Sequence, residues 1–313
     1  MNLRQKLFLL IVAVASVTLV CGLTLAALVN QSEDDERIAV VATFYPLAYM
    51  AQAIGGDRVS VETLVPMNTE IHAWEPSATD IIETDMADVV LYNGAGLEPW
   101  FVEEILPVIS KDDKVIVDTT SGLSLISDGD GHEGESGECD PHTWVSPHMA
   151  RMQAERVFDA LVLIDPANAS LYSENWAILA DRFEALDEEY NGTLASKTKS
   201  AIFVSHAAYG YLALRYGFEQ HAIIGMSGDE EPSTSTIAYL VDLMIEHDTY
   251  VVYVDPLYRE DYASALMDTL EDRTGHEVEM LHLYLMLGPV DGLDFTSQME
   301  KNLENLSIGL ETT

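Results

Sequence analysis

"IAVVATFYPLAYMAQAIGGDRVSVETLV", residues 38–65, decides the fold. It opens on a β-branched run (38–44), passes into helical spacing over 46–55, and closes after Gly55-Gly56 on a second β-rich run (59–65). Pro46 suits a first helical turn, where the amide it lacks would have had no partner, and runs this short suit strands. The stretch therefore reads strand–helix–strand, a βαβ rhythm.

The rhythm continues along the chain. "DVVLYN" (88–93) and "KVIVDTT" (114–120) read as strands, with a helix at 77–86 before them. "SPHMARMQAERVFDALVLI" (146–164) predicts a helix with Ser146 as N-cap and Pro147 in its first turn. Residues 165–197 read as one long, largely polar helix. Strands follow at 201–205, 219–224, 250–254 and 277–283, with helices between them and a last helix near 295–311. The predicted class is α/β: two open-sheet α/β domains, 37–164 and 199–313, linked by one long helix at 165–198.

Composition narrows the function classes. A hydrophobic fraction of 48% over 313 residues supports real cores rather than disorder. Fifteen Lys plus Arg against 53 Asp plus Glu give a net charge of -38, which repels phosphate backbones and excludes nucleic acid as a partner. An acidic, self-repelling surface suits high salt, where screening relieves the repulsion.

Residues 1–36 read as a separate membrane anchor or signal segment. After Arg4 and Lys6, Leu7 to Val29 carry no charged side chain, a length that crosses a bilayer as a helix. No small-x-small cleavage signal precedes the acidic stretch Glu33 to Glu36, and Thr18, Leu19 and Val20 match a lipidation signal at Cys21 poorly. The expectation is an uncleaved anchor that holds the rest of the chain on the outer face of the cytoplasmic membrane. Beyond it Cys139 is the only cysteine, so stability there falls to the core and to any metal, not to an internal disulfide.

Three histidines stand where open α/β sheets bind ligands, beyond the carboxyl ends of strands. His72 lies in the loop after 59–65, His142 closes the Gly- and acid-rich loop after 114–120, and His206 ends the strand 201–205. Separations of 70 and 64 residues fix nothing alone, and each also reads as a hydrogen-bonded loop or cap histidine. His148, His221, His247, His276 and His282 read as ordinary helix-turn, helix-end and strand residues. Trp74, Tyr92, Trp100, Trp144 and Tyr209, near these histidines in sequence, read as a dry wall, as core, or as both.

"VPMNTEIHAWEPSATDI" (65–81), "ADVVLYNGAGLEPW" (87–100), "DPHTWVSP" (140–147) and "VSHAAYGYLALRYGF" (204–218), in this order, resemble the zinc and manganese solute-binding proteins of ABC importers, the zinc-uptake and TroA-like receptors. The resemblance runs from about residue 38 to the end. It implies a monomer of two α/β domains bridged by a rigid helix, with a metal held in the cleft between them and passed to a membrane permease. It maps ligand roles onto His72, His142 and His206.

Zn2+ suits a three-imidazole set, while Mn2+ prefers more carboxylate. Manganese-selective relatives carry a glutamate where this chain has His206, so zinc is the expected ion and manganese the alternative. Asp140, Glu75 and Asp80 are candidates to orient the imidazoles, with helix capping the rival role for Asp80. Many relatives place a fourth-ligand aspartate where "LHLYLMLGP" (281–289) stands here. The aligned residue is Tyr284, a candidate to support the ligands rather than bind. Asp255, at the carboxyl end of "YVVYV", either approaches the metal or starts the next helix. The loop 128–138, "DGDGHEGESGE", reads as a reduced metal-gathering loop with His132 alone, or as a solvated acidic loop.

Two other functions compete, a surface-anchored adhesin and a zinc hydrolase. An open coordination position serves hydrolysis as well, but no HExxH helix is present and the receptor motifs extend well beyond the ligands. Because imidazole must be neutral to ligate, metal affinity is expected to fall as pH drops through about 6.5, the unperturbed histidine value.

Overall fold

Two four-stranded sheets share one strand order. Strands β1 (Ile38–Ala42), β2 (Val59–Thr63), β3 (Val89–Tyr92) and β4 (Val115–Asp118) form a sheet ordered β2-β1-β3-β4. Strands β5 (Ala201–His206), β6 (Glu219–Ile224), β7 (Val251–Val254) and β8 (Glu279–His282) form the other, ordered β6-β5-β7-β8. The computed structural model describes residues 37–127, 139–226 and 232–312. The expected anchor (1–36) and the acidic loop (128–138) lie outside the described residues. Among the described residues no helix is long and apolar enough to cross a membrane.

Pairing is parallel in each sheet, with Val40 opposite Val89, Val89 opposite Val115, Phe203 opposite Val252 and Val251 opposite Glu279. The central strands read as near-continuous apolar runs because both faces are covered: Val40, Val41, Val89 to Leu91, Ile202 to Val204 and Val252 to Val254 are all buried. The strand order reverses direction between β1 and β3 and again between β5 and β7. Crevices for ligands open beyond the carboxyl ends at such points.

The helices begin and end for local reasons. Helix α1 (Tyr45–Gly55) carries Pro46 in its first turn and buries Leu47, Met50, Ala51 and Ile54. It reverses into β2 at Gly55-Gly56: a Cβ on Gly55 would meet Val59 Cγ1 at 2.3 Å, and Gly56 has φ +54°. Helix α2 (Ala78–Met86) opens on a capping box in which the Ser77 amide donates to Asp80 Oδ2 at 2.6 Å and the Asp80 amide to Ser77 Oγ. Asp80 is thus a cap, not a support for His72. In α3 (Pro147–Ile164), Ser146 occupies the N-cap position and Pro147 the first turn, but the buried Ser146 hydroxyl makes no capping bond.

The long helix is shorter than the expected 165–198. Helix α4 spans Ala169–Leu194, and Pro166–Asn168 forms a separate 3-10 turn. Asp165 holds that turn by accepting from Asn168 Nδ2 at 2.7 Å and from the Tyr172 hydroxyl at 2.8 Å. With 26 residues, α4 is about 39 Å long. Helices α5 (Gly210–Tyr216), α6 (Thr234–Glu246), α7 (Asp261–Thr274) and α8 (Phe295–Gly309) complete the second domain. Helix α4 packs on α3 and α1 from one domain and on α8 from the other, where the buried Tyr190 hydroxyl donates to the Met299 carbonyl at 2.6 Å.

Direct bonds also cross between the domains. The Trp144 indole N–H donates to the Leu285 carbonyl at 2.8 Å, the Asn68 amide to Leu287 at 2.9 Å, and the Tyr211 hydroxyl to the Asp140 carbonyl at 2.6 Å.

Candidate metal centre

His72, His142 and His206, far apart in sequence, meet between the domains. One ring nitrogen from each lies within 4.8 Å of the other two. His142 Nε2 and His206 Nε2 are 3.2 Å apart, and the ring centroids are 5.0 to 6.4 Å apart. His142 and His206 are 2% and 1% exposed, so the two imidazoles face each other away from solvent.

Each histidine is held by its own element. His206 ends β5, and the turn behind it closes when the Ala208 amide donates to the His206 carbonyl. His72 sits in a loop after β2 whose Ile71 carbonyl accepts from the buried Trp100 indole at 3.0 Å, with Trp74 edge-on to Trp100 at 4.5 Å. His142 precedes the 3-10 turn Thr143–Val145. Its backbone amide and its Nδ1 both meet Asp140 Oδ1 at 2.9 Å. The proton assigned to Nδ1 by this contact leaves Nε2 with a lone pair aimed at His206.

Asp140 is itself confined. A Cβ on Gly210 would stand 2.6 Å from Asp140 Oδ2, so the start of α5 leaves just enough room for that carboxylate. Behind His142, the Asn93 side chain donates to the Pro141 carbonyl at 2.9 Å. Glu98, 1% exposed, then accepts from the Asn93 amide, the Gly94 amide and the Thr43 hydroxyl. Burial pushes the Glu98 carboxyl up to about 7, against the lowering effect of those bonds. The chain from Glu98 through Asn93 and Pro141 to His142 carries no role in the sequence reading. Its only sequence signal is the motif "YNGAGLEPW" at 92–100.

Burial lowers the pKa of His72 and His206. It lowers His72 to about 4, with the neighbouring His142 adding to the effect and Asp140 opposing it. His206 is driven well below its ordinary value, first by burial and then by His142 and His72, with the Gly225 backbone acting the other way. His72 Nε2 is buried without a hydrogen-bond partner among the described residues. Imidazole nitrogens brought this close together form a donor set for a borderline cation such as Zn2+.

The other expected residues are placed differently. Asp255 stands at the end of β7, but its Oδ1 accepts from the Leu257 amide at 2.7 Å and its Oδ2 from the Leu285 amide at 2.5 Å, and the triplet does not include it. Burial pushes its carboxyl up to about 6. Through Leu285, Asp255 fixes the carbonyl that receives the Trp144 indole. Tyr284 is buried with its amide donating to Asn302 Oδ1, and its ring packs beside His282 rather than beside the triplet. Glu75 is exposed and makes no hydrogen bond or ion pair among the described residues. Of the expected supports, Asp140 alone touches a histidine of the triplet. Trp144 lies 5.3 Å from the His142 ring and edge-on to Phe44 at 4.8 Å, so it is wall and core at once.

The model of one protein family, zinc-uptake complex component A, periplasmic (ZnuA), matches residues 40–309. The chain belongs to the ZnuA family. It is 31% identical over 308 residues to the high-affinity zinc uptake system protein ZnuA of Bacillus subtilis, covering 93% of this chain and 95% of that one. It is 32% identical over 297 residues to the zinc-binding lipoprotein AdcA of Streptococcus pneumoniae, and the match takes in 91% of this chain but only 58% of AdcA. Among solved structures, the Zn(II)-bound ZnuA-like domain of Streptococcus pneumoniae AdcA superimposes with a TM-score of 0.73 at 29% identity, covering 88% of this chain and 100% of that domain. The ZnuA family match spans both sheets and takes in all three cleft histidines.

Proposed function

We propose that the chain is an extracytoplasmic receptor that captures one Zn2+ between its domains through His72, His142 and His206 and delivers it to the permease of an ABC importer. The observation that carries this reading is the convergence of three imidazoles within 4.8 Å, His142 and His206 buried and His72 half-buried, with burial lowering the pKa of His72 and His206. Membership of the ZnuA family and the Zn(II)-bound state of the AdcA domain support zinc over manganese. Three protein ligands leave a fourth position for water, which suits a carrier that must release its cargo. In this reading residues 1–36 hold the receptor at the outer face of the membrane, 37–164 and 199–313 are its two domains, and 165–198 links them.

Hydrolysis would need a base beside the open position. Asp140 is engaged by His142 and Asp255 by two backbone amides, so neither carboxylate serves as one.

The test is competition binding of Zn2+ and Mn2+ to the metal-stripped full chain, beside a His206→Ala variant. Tight zinc binding at the cleft that the variant loses is the expected result. Weak binding that the variant leaves unchanged would overturn the receptor.

A further inference from the structure

A second group of ligating side chains lies in the second domain, away from the cleft. Glu219 and His221 are two residues apart on the edge strand β6 and so point to the same face. His247 follows α6, where its amide donates to the Leu243 carbonyl at 2.9 Å and closes the helix. His221 Nε2 is 3.5 Å and His247 Nε2 4.0 Å from Glu219 Oε2. One ligand atom from each of the three lies within 4.8 Å of the others.

The two imidazoles are seated, not loose. Phe203, fully buried on β5 and paired with His221 in the ladder, stacks under the His221 ring at 5.1 Å and meets the His247 ring at 6.3 Å. Ser200 Oγ is 3.2 Å from His247 Nδ1. When Nδ1 donates to that hydroxyl, the Nε2 lone pair faces Glu219, the kind of outer hydrogen bond that orients metal-ligating imidazoles. The carbonyl end of a helix, at His247, also favours positive charge.

We propose that Glu219, His221 and His247 form a second site for a divalent cation of the zinc class, separate from the cleft. Two imidazoles and one carboxylate make a known three-residue zinc set with an open position. Tetrahedral bonds of about 2.0–2.1 Å put ligand atoms about 3.4 Å apart, so the cluster needs only a small contraction. Glu219, with 63% of its side chain exposed, is free to make it. That exposure also makes the site weaker than the cleft, because ligands fixed in place lose less freedom on binding. The site does not depend on the function assigned to the cleft.

The test is a zinc titration of the metal-stripped full chain against a chromophoric chelator in molar salt, which suppresses diffuse attraction to the acidic surface. The wild type takes up a second, weaker equivalent. His247→Ala and Glu219→Gln each lose it and keep the first, while His142→Ala loses the first and keeps the second. Co2+ bound to His142→Ala gives d–d absorption that disappears on adding His247→Ala. Circular dichroism confirms that each variant is folded, and Glu219→Gln conserves shape at an exposed position. A single equivalent in the wild type, or a second one that survives either His247→Ala or Glu219→Gln, would overturn the site.

Discussion

The two histidine clusters use the same chemistry in opposite settings. In the cleft, three imidazoles come from two domains, two of them are almost wholly buried, and a carboxylate fixes one. On the second domain, two imidazoles and an exposed carboxylate come from one strand and one helix end, and a hydroxyl supports one ring. The difference lies less in the ligands than in what surrounds them. Burial lowers the pKa of His72 and His206 in the cleft, whereas the outer cluster relies on one aromatic floor.

The largest test of that contrast removes a ligand from the cleft. His142→Ala should weaken the tighter zinc equivalent more than about 1,000-fold, since loss of an orienting partner alone costs 10–100-fold; isothermal titration measures it. A drop of only a few-fold would put the two clusters on a par.

Acid should act next most strongly. His72 sits near 4 when folded and near 6.5 when unfolded, so between those values the unfolded chain takes the proton first. The metal-free protein should therefore lose stability as pH falls from about 6.5 to 4, by up to about 3 kcal/mol from His72. Denaturant melts at a series of pH values read this loss. Zinc held in the cleft should persist below 6.5, lower than an unperturbed histidine would allow.

Asp140→Asn should cost 10–100-fold in cleft affinity, because the His142 proton would no longer be held on Nδ1 by a charge. The matching change outside, Ser200→Ala, should weaken only the second equivalent, and by just a few-fold, as befits a neutral support at a looser site. The same titration ranks the two, and equal losses would erase the distinction between buried and exposed support.

Much of this was legible in the chain. The β-branched runs and Pro46 announce the strand–helix–strand rhythm, and both sheets follow from it. The polar pattern alone runs a helix on through 165–168, where Pro166 and the Asp165 side chain build a separate turn instead. The three cleft histidines are legible through the wording around them. Strand-end position brought Asp255 forward, but position does not reveal that two backbone amides occupy its carboxylate. His221 and His247 looked ordinary because their meeting depends on how α6 lies over the sheet, which periodicity does not encode.

The indole of Trp144 joins these threads. It bridges the domains through Leu285 and lies 5.3 Å from the ring of His142. In the proposed receptor, a cation arriving at that ring would change the electric field across a fluorophore whose N–H is already fixed in direction. Cleft occupancy would then be readable from the protein's own fluorescence, without a label.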